Sequence, residues 1–521
     1  MNRNEMLARL NAQQTWDVVV IGGGATGLGV ALDAVTRGFT TLLLEAHDFA
    51  KGTSSRSTKL LHGGVRYLAQ GNLPLVMEAL RERGRLARNA PHLFHAQPFI
   101  IPSPNTCKSA YYMAGLWLYD RLAGKLGIGR TRYLGYGETA SRLPAVRAEK
   151  RASGVCYFDG QFDDARLALS LARSIADHGG TVLNHCAVTA LDKNDAGKIC
   201  GVRCRDTLGG GEYTVSAKCV VNAAGAFTAD VLAWDDAAAA PRILLSQGIH
   251  LVLDGDFLAG TDALMVPETS DGRVLFAIPW HGKLLAGTTD TPVPAADYEP
   301  KPLAEEVQFI LDTLGEYLSR APTAADVKSV FAGLRPLVKP ADSGQSSKEV
   351  SRSHQVEISA SGLVNIFGGK WTTYRQMAQD GIDKAIAHGL LPAAACRTEN
   401  LPLHGAAGAK ESFGQSRLSV YGGEAEQITA LEQSDAQLAQ TLHPAHPYTY
   451  AQVQWALEHE AAHSLEDVLA RRIRLLFLDA AAAAECAPAV ARFIGERLGW
   501  DEAKVHSETE QFRALAQQYL L

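Results

Sequence analysis

The stretch Asp17 to Glu45, DVVVIGGGATGLGVALDAVTRGFTTLLLE, decides the fold of this chain. It opens with Val18 to Ile21, a continuous apolar run of the kind that forms a strand buried on both faces. Three glycines follow at the G-x-G-x-x-G spacing: Gly22, Gly24 and Gly27. In that pattern the first glycine permits a tight turn, the second lets a pyrophosphate approach the backbone, and the third lets a helix lie close to the strand. The stretch therefore predicts a dinucleotide-binding turn.

The helix and strand that follow this turn complete the pattern. A helix from Ala25 to about Arg37 would direct its N-terminal amides, including that of Thr26, at the phosphates. A second apolar run then ends in Glu45, where an acidic side chain would hydrogen-bond the ribose hydroxyls of an adenine dinucleotide. The identity of the dinucleotide is still open at this point.

Composition bounds the class of protein. A chain of 521 residues with 46% hydrophobic and 20% charged residues predicts two or three globular domains. The net charge of -6 gives no reason to expect nucleic acid as a partner. We expect neither a membrane-spanning helix nor secretion, because no apolar run reaches about 18 residues and the N-terminus lacks an apolar signal core. The eight scattered cysteines, without C-x-x-C pairs, indicate reduced thiols in a cytoplasmic protein, with no metal site and no disulfide framework.

A polar loop from about Ala46 to Ser57 follows Glu45 and runs into a predicted helix near Thr58 to Leu61. Its hydroxyls suit contacts with phosphate or a flavin ring, or equally the capping of a helix N-terminus. These hydroxyls belong to Thr53, Ser54, Ser55 and Ser57. Immediately after comes a cluster of an imidazole, a cation and a phenol beside two glycines, at His62, Arg66 and Tyr67. Taken alone, His62 is as readily structural as functional.

Two amphipathic segments follow. Leu73 to about Asn89 is a predicted helix whose arginines we interpret as a solvated face. Tyr111 to Gly129 is aromatic and apolar and is followed by basic residues. Such a segment can lie in a bilayer interface, although a helix packed on the core is the simpler interpretation.

The nucleotide-binding region is predicted to be split by inserted segments. A buried strand, Lys218 to Asn222, ends in small residues and Gly225, which suggests close approach of the backbone to a ligand. From Arg242 short strands separated by turns predict an antiparallel sheet, interrupted by helices at Leu303 to Ser319 and Thr323 to Val330. The run FAGLRP places Arg335 in a turn at the edge of that sheet.

A second ligand-binding turn is predicted near the end of this region. Gly368, Gly369 and Lys370 lead into a helix that runs to about His388. The amides of a glycine turn and a helix N-terminus there meet a lysine, which suits an anion or an electron-rich ring.

The C-terminal part reads as a separate unit. Gly389 to about Ser416 is rich in Pro, Gly and Ala and is predicted to be a linker, followed by a small all-α domain from about 420 to 521. Within it, His459 to His463 fits H-E-x-x-H, the zinc-protease pattern, in which both histidines share one helix face. We interpret this match as chance, because no third ligand lies nearby in the sequence.

With these pieces in place, the chain resembles the FAD-dependent, respiratory glycerol-3-phosphate dehydrogenases over essentially its whole length. The resemblance rests on IGGGATG, TSSRSTKLLHGGVRYL, FDDARL, VNAAG, IPW, GTTD, GLRPL and FGGKWTTYR. The chain departs from the family pattern at Ala224-Gly225 and at Ala226-Phe227, where the family usually has Thr-Gly and often Pro-Trp. These departures leave open the contact of that loop with the cofactor.

The resemblance implies a fold and a division of the chain. The fold class is α/β: an FAD-binding Rossmann-like domain of the glutathione-reductase and D-amino-acid-oxidase type, an antiparallel-sheet substrate domain and an all-α C-terminal domain. The FAD-dependent oxidoreductase region would cover 1–400, with FAD-binding segments at about 15–75, 155–240 and 355–390 and substrate-domain segments at about 76–154 and 241–354. The helical C-terminal domain would cover 401–521.

The resemblance also implies an activity, namely oxidation of the C2 alcohol of glycerol 3-phosphate, with FAD as the hydride acceptor and electrons passed to a membrane quinone. His62 would be the base or proton relay, with His250 as a second candidate. Arg66 and Tyr67 would orient the substrate, and Arg335 would clamp its phosphate bidentately, as lysine cannot. Arg352 and Lys370 would add positive charge, unless Lys370 faces the flavin instead. The residues implied to contact FAD are Gly22, Gly24, Ala25, Thr26, Gly27, Glu45, Thr53, Ser54, Ser55, Ser57, Val188, Gly225, Gly369, Lys370 and Thr372.

Peripheral attachment to the inner face of the cell membrane is expected from the same resemblance, and a homodimer is left open. Three alternatives remain. An alpha-glycerophosphate oxidase would pass electrons to oxygen, but this chain looks short for that branch. An amino-acid or hydroxy-acid oxidase would use Arg335 to bind a carboxylate. A non-catalytic flavoprotein would bind FAD that glycerol 3-phosphate does not bleach.

Overall fold

The computed structural model describes residues 1–65, 68, 71–238, 242–338 and 354–521. Its strands are β1 (Trp16–Ile21), β2 (Thr41–Leu44), β3 (Leu60–Leu61), β4 (Phe94–Ser103), β5 (Arg132–Leu134), β6 (Ser153–Phe162), β7 (Thr181–Leu183), β8 (Cys186–Lys193), β9 (Ile199–Asp206), β10 (Glu212–Asn222), β11 (Ile243–Asp254), β12 (Ala263–Val266), β13 (Leu275–Trp280), β14 (Lys283–Gly287), β15 (Thr291–Val293), β16 (Val327–Val338), β17 (Gln355–Ile358), β18 (Val364–Phe367), β19 (Thr441–His443) and β20 (His446–Thr449).

The α-helices are α1 (Arg3–Ala12), α2 (Ala25–Thr36), α3 (Leu73–Asn89), α4 (Thr106–Ala123), α5 (Tyr136–Arg142), α6 (Asp164–Asp177), α7 (Thr228–Asp235), α8 (Ala304–Tyr317), α9 (Tyr374–Ala387), α10 (Ala425–Ser434), α11 (Tyr450–His459), α12 (Leu475–Leu478), α13 (Ala480–Leu498) and α14 (Glu502–Gln517). Among the described residues, none of these helices combines the length and the apolar character needed to span a bilayer.

The first sheet carries the dinucleotide turn. Its strand order is β17-β18-β10-β1-β2-β7, and β9 and β8 continue it from β10. Strand β1 pairs in parallel with both β10 and β2, and Val18 to Val20 are completely buried, as expected for a strand covered on both faces. Helix α2 can lie close to β1 because Gly27 has no side chain. A Cβ at this position would lie 1.9 Å from Gly22 O. The glycine spacing of the sequence thus sets the approach of strand and helix.

The second sheet forms the wall of the site. It runs β15-β11-β14-β13-β12-β4-β6-β3, with β16 paired to β11 and β5 paired to β6. Its outer face is covered by α8, whose buried side chains Val307, Ile310 and Leu314 pack against Ile249 and Leu251 of β11. The strands of the first sheet come from three separate parts of the chain: β1 and β2, β7 to β10, and β17 and β18. The nucleotide-binding part is therefore discontinuous, as the sequence predicts.

Several local predictions are wrong. The segment Thr58 to Leu61 is not a helix but leads into β3, and Thr323 to Val330 is divided between a short 3-10 helix at Ala324–Asp326 and the start of β16 at Val327. Arg335 lies within β16, opposite Ser246 of β11, rather than in a turn. The arginines of α3 are not all solvated, since Arg83 is buried in an ion pair with Asp159.

The C-terminal region packs on the rest of the chain. The segment predicted as a linker buries Leu391, Leu403 and Phe413 in the same core as the nucleotide-binding sheet. Beyond it lie helices α10 to α14 and the hairpin β19-β20. The domain boundaries stay a prediction, but the shared core shows that the helices are part of one packed body with the first sheet.

Candidate active site

A cavity of about 630 Å³ lies between the two sheets, a volume typical of small-molecule sites. Many of the residues singled out in the sequence line it: Ala25, Thr26, Thr53, Ser54, Ser57, His62, Gly225, His250, Arg335, Gly369, Lys370 and Thr372. These positions are spread over most of the chain. The fold therefore brings together the two predicted ligand-binding turns and the cationic edge of the antiparallel sheet.

The dinucleotide turn has the shape that a diphosphate requires. Gly22 has φ +110°, and a Cβ there would lie 2.7 Å from Ala223 O. Gly24 precedes α2 without a side chain that caps it, and the next residues, Ala25 and Thr26, line the cavity. The N-terminus of this helix thus faces a space bounded by small side chains, which fits the diphosphate of FAD.

Glu45 lies at the end of β2, where the sequence places the ribose-binding acid. Its carboxylate accepts hydrogen bonds from Gly23 N at 2.6 Å and His47 N at 2.9 Å. Burial raises the pKa of this carboxyl, and the two backbone N–H groups oppose that effect. Six of the residues predicted to contact the cofactor do not line the cavity itself: Gly22, Gly24, Gly27, Glu45, Ser55 and Val188. Strand β8, which carries Val188, does lie beside Glu45, because Cys186 N donates to Glu45 O at 2.8 Å. The cofactor contacts of these six residues stay a prediction.

The hydroxyl-rich loop combines both roles considered for it. Ser54 Oγ accepts from Ala25 N at 2.9 Å and so caps α2 from a different segment. Thr53 donates to Leu334 O at 2.6 Å, and Ser57 donates to Asp164 at 2.7 Å. The hydroxyls therefore fix the loop against three elements, while Thr53, Ser54, Arg56 and Ser57 line the cavity.

Arg335 projects from β16 into the cavity wall. Its guanidinium donates to Gln247 O at 3.2 Å and to Thr288 Oγ1 at 3.0 Å, and lies 3.6 Å from Asp290 Oδ1. The side chain is 22% exposed, so it is held in place but accessible from the cavity. Among the described lining residues the cations are Arg56, Arg273, Arg335 and Lys370, and the carboxylates are Asp159 and Asp290. This balance favours an anionic ligand.

His250 lies on β11 beside Arg335. Its Nε2 is 2.9 Å from Thr58 Oγ1, and its ring stacks on Phe331 with centroids 5.1 Å apart. Burial, followed by the cations Lys59 and Arg335, lowers the pKa of His250 well below its usual range. The imidazole is therefore neutral near pH 7 and can accept a proton.

The loop of His62 is held by residues that sequence reasoning missed. Gly63 N donates to Tyr119 Oη at 2.7 Å, and Tyr119 donates to Asp159, which is also paired with Arg83. A Cβ at Gly63 would lie 2.5 Å from Tyr119 Oη. His62 itself lines the cavity, and Thr372 Oγ1 lies 3.4 Å from its carbonyl oxygen. The residues that hold this loop come from distant segments of the chain, so no local sequence pattern predicts them.

An aromatic stack covers the loop in which the sequence departs from the family pattern. Phe227 stacks on Tyr298 with centroids 4.0 Å apart, and Tyr298 meets His47 edge-on at 4.3 Å. Phe227 is two residues after Gly225, which lines the cavity, and His47 is two residues after Glu45. Tyr298 was not singled out in the sequence, where it stands in a loop without a recognisable pattern.

The remaining predicted residues fall outside these contacts. Arg66, Tyr67 and Arg352 lie outside the described residues, and their roles stay predictions. The H-E-x-x-H segment does not form one helical face, because α11 ends at His459 and Ala461 has φ +50°. Glu460 is instead paired with Arg166, with oxygen-to-nitrogen distances of 2.6 and 2.9 Å.

Asp48, His185 and Asp467 come together elsewhere in the described part of the chain, with potential ligand atoms within 4.8 Å of one another. Arg472 and Arg471 bind Asp48, and Arg471 also binds Asp467. These guanidinium groups supply the positive charge that the carboxylates require. The group is therefore an ion-pair network that ties the C-terminal region to the first sheet.

Comparisons with known proteins agree with this geometry. Residues 17–375 match the family model FAD dependent oxidoreductase, and residues 396–505 match the C-terminal domain of alpha-glycerophosphate oxidase. The chain is 38% identical to a probable mitochondrial glycerol-3-phosphate dehydrogenase of Caenorhabditis elegans, over 98% of this chain and 74% of that protein. The mitochondrial glycerol-3-phosphate dehydrogenase of Homo sapiens is also 38% identical, over the same shares.

Solved structures give the same result. The glycerol-3-phosphate dehydrogenase of Bacillus halodurans complexed with FAD superimposes with a TM-score of 0.79 at 29% identity, covering 99% of this chain and 97% of that one. The L-alpha-glycerophosphate oxidase of Mycoplasma pneumoniae with FAD bound shares the fold, with a TM-score of 0.56 at 16% identity, over 75% of this chain and 98% of that one. This chain therefore belongs to the family of FAD-dependent glycerol-3-phosphate dehydrogenases, and FAD is its cofactor.

Proposed function

We propose that the chain oxidises sn-glycerol 3-phosphate to dihydroxyacetone phosphate and passes the electrons to a membrane quinone. The observation that carries this proposal is that His62, His250, Arg335 and Lys370 line the same cavity as Ala25 and Thr26 at the start of α2. Relatives named glycerol-3-phosphate dehydrogenase support the choice of substrate. When bound, FAD supplies the hydride acceptor.

The phosphate of the substrate would lie against Arg335. Two fixed acceptors, Gln247 O and Thr288 Oγ1, orient the guanidinium plane, and a planar fork suits bidentate binding of a phosphate. Lys370 on the opposite turn lines the same cavity and would add charge to the phosphate or face the flavin. By resemblance, Arg352 would add a further cation, and Arg66 and Tyr67 would orient the substrate.

The hydroxyl proton requires a base within reach of C2. His62 remains our first choice as base or relay, since it lines the cavity on a loop held by Tyr119. His250 is the second candidate, because it lines the same cavity and its neutral ring has a nitrogen lone pair that can accept a proton. A base that is already neutral at working pH needs no prior loss of a proton.

Quinone as acceptor and peripheral membrane attachment at the inner face of the cell membrane belong to the same proposal. Helix α4 exposes Tyr111, Trp117 and Leu118, and basic residues flank them at Lys108 and Arg121. Apolar and aromatic side chains rimmed by cations suit the interface of an anionic bilayer. Helix α4 contacts α3, whose residue Leu75 lines the cavity, so a bilayer at α4 would lie near the active site. We adopt the bilayer-interface interpretation of this segment.

The decisive experiment is anaerobic mixing of the purified protein with glycerol 3-phosphate while the flavin absorbance is followed. We expect the flavin to be bleached in the wild type and to be bleached only at much higher substrate concentration in Arg335→Ala, with the flavin content unchanged. Retention of full colour in the wild type would instead identify a non-catalytic flavoprotein. Bleaching by amino acids or hydroxy acids would favour the oxidases of that substrate class.

Transfer of electrons to oxygen is the second candidate, favoured by the match of residues 396–505 to the C-terminal domain of alpha-glycerophosphate oxidase. The two acceptors are separated by turnover under air with and without a short-chain quinone. A quinone-dependent enzyme gives little peroxide and is accelerated by quinone, whereas an oxidase gives one peroxide per substrate and is indifferent to it.

A further inference from the structure

Behind the cavity lies a buried lysine that no step of the proposed reaction uses. Lys59 is 0% exposed and has φ +61°. Its ammonium group donates to Ser55 O at 2.8 Å and to Asp164 Oδ2 at 2.7 Å. Burying a charge is costly unless it has close partners, so this arrangement requires a reason.

The segment that precedes Lys59 contacts both the cavity and His250. Ser57 and Thr58 line the cavity, and Thr58 Oγ1 lies 2.9 Å from His250 Nε2. Asp164 accepts hydrogen bonds from Ser57 N, at 3.1 Å, from the Ser57 hydroxyl and from Lys59. Lys59 and Asp164 thus fix the backbone on which Thr58 is presented to the imidazole.

Lys59 and His250 also lie against the same aromatic ring, that of Phe331. The Lys59 nitrogen lies 5.0 Å from the centroid of Phe331, and His250 stacks on that same ring at 5.1 Å with an interplanar angle of 20°. Phe477 of the C-terminal region meets Phe331 edge-on at 4.9 Å. His250 is therefore backed by an aromatic pair with a cation beside it.

The C-terminal region adds a second buried cation to this cluster. Arg474 donates to Ser55 O at 3.0 Å and to Asp164 Oδ1 at 3.1 Å, and its guanidinium lies 4.4 Å from the Phe477 ring. Asp163 lies 3.7 Å from Arg474 and 3.3 Å from His281. The Ser55 carbonyl and Asp164 are thus shared by a lysine of the nucleotide-binding part and an arginine of the helical part.

The charged groups around the pair have opposing effects. Lys59 faces Asp164 and Asp163 on α6, Arg474 of the C-terminal region and His250 on β11, and His250 also faces Arg335 across the cavity wall. Burial lowers the pKa of Lys59 to about 8, and Asp164 opposes that effect, so the ammonium is largely charged at neutral pH. That charge in turn disfavours a second positive charge on His250.

We propose that Lys59, held by Asp164 and by Arg474 from the helical C-terminal region, is a positioning residue for the oxidation of glycerol 3-phosphate. It keeps Thr58 against His250, and its charge adds to the burial that holds that imidazole in the neutral form, which can accept a proton. The proposal rests on the proposed function, because it assigns His250 a part in moving the substrate proton. It gives the helical region a role in the chemistry, although that region contributes none of the described residues that line the cavity.

The test is the pH dependence of flavin reduction by glycerol 3-phosphate, measured anaerobically in Lys59→Met and Lys59→Gln. Glutamine keeps a donor for Ser55 O and Asp164 but removes the charge. We expect the acid limb of the rate to move to higher pH by about one unit, which is about ten-fold at a fixed pH on that limb, while the substrate concentration for half-maximal rate stays unchanged. Lys59→Arg restores the charge and is expected to return the limb toward its wild-type position.

The matched control is Lys51→Met, which removes a lysine of the same loop that is paired with Glu299 and Glu466 and is not among the charges acting on His250. It should leave the acid limb in place. An unchanged limb in Lys59→Gln with normal flavin content would overturn the inference, as would an equal shift in Lys51→Met. Failure of the wild type to be bleached at any pH would instead remove the proposed function, so the two failures are distinguishable.

Discussion

Gly248 lies directly beneath the guanidinium group of Arg335. A Cβ at Gly248 would come within 2.1 Å of Arg335 Nη2 and within 2.5 Å of Thr288 Oγ1. The hydrogen bond between Arg335 and Thr288 therefore occupies the space that any larger residue at position 248 requires. The absence of a side chain at Gly248 leaves room for the guanidinium group of the proposed phosphate clamp.

Gly248→Ala should therefore weaken substrate binding without touching the substrate. The methyl group displaces the guanidinium, and loss of a charge-assisted hydrogen bond costs roughly 1.5 to 3 kcal/mol, which corresponds to about ten- to a hundred-fold in KM for glycerol 3-phosphate. Steady-state kinetics with flavin content as a check measure this change. Gly315→Ala on α8 is the control, since its Cβ would meet only Ala321 at an ordinary 3.4 Å. An unchanged KM in Gly248→Ala would show that Arg335 does not bind the phosphate.

Acid sensitivity is expected to come in part from His92, which is buried between α3 and the C-terminal region. Burial, with Arg166 and His404 nearby, lowers the pKa of His92 from 6.5 to about 4. Between these values the unfolded chain binds a proton that the folded chain does not, so stability falls as pH falls through this window. The full shift corresponds to about 3 kcal/mol near pH 4. His92→Gln should flatten the decline of Tm between pH 6.5 and 4.

The exposed His388 offers the control for that measurement. His388→Gln should leave the dependence of Tm on pH as in the wild type. If His92→Gln lowers Tm by the same amount at every pH, the histidine contributes packing alone and the proton linkage is absent.

The sequence predicts best the structure that depends on contacts between residues close together in the chain. The strand, glycine turn and helix of Asp17 to Arg37 are set largely by neighbours in the chain, since the close approach of Gly27 to Gly22 joins residues five positions apart. Helix α3 likewise begins at Leu73 and ends at Asn89, as its periodicity indicates. The family resemblance adds the cofactor and the fold class, because its motifs stand at those same turns.

What the sequence does not reveal depends on distant partners. The run FAGLRP predicts a turn at Arg335, but the pairing of β16 with β11 places this residue within a strand. The contact between Lys59, Asp164 and Arg474 joins three separate segments, and none of them carries a local pattern that predicts the others. A distant partner also decides the contacts of the H-E-x-x-H segment, which we interpret as a chance match, since Glu460 pairs with Arg166 of α6.

The exposed face of α4 should decide membrane binding without affecting chemistry. Trp117 is 52% exposed and lies 4.8 Å from the guanidinium of Arg121. Trp117→Glu should reduce co-sedimentation with vesicles of anionic phospholipid, because it places a negative charge where an aromatic ring would enter the interface. Anaerobic bleaching by glycerol 3-phosphate in solution should be unchanged. Trp234→Glu, at an exposed tryptophan of α7, is the control. Equal vesicle binding by all three proteins would contradict the assignment of this surface.

The buried pair of Arg166 and Glu460 is expected to hold the C-terminal region to α6. Both carboxylate oxygens accept from the guanidinium, and the Glu460 side chain is 0% exposed. Burial acts to raise the pKa of Glu460, but the charge and hydrogen bonds of Arg166, together with the charges of Arg173 and Arg472, lower it below its usual value. Arg166→Met would leave this carboxylate without its partner, at a cost of about 3 to 5 kcal/mol, and should lower Tm strongly at pH 7.

The decrease in Tm caused by Arg166→Met should be smaller in acid. A carboxyl group whose pKa is lowered in the folded state contributes stability that is present above its ordinary pKa of 4.5 and disappears as the pH falls. The double substitution Arg166→Met with Glu460→Leu should recover most of the Tm, since it removes the uncompensated charge as well. Lys410→Met, which breaks a fully exposed pair with Glu426, should leave Tm unchanged. A double variant no more stable than Arg166→Met would show that the arginine acts through its packing on Tyr421, where its guanidinium lies 4.3 Å from the ring, and not through the charge.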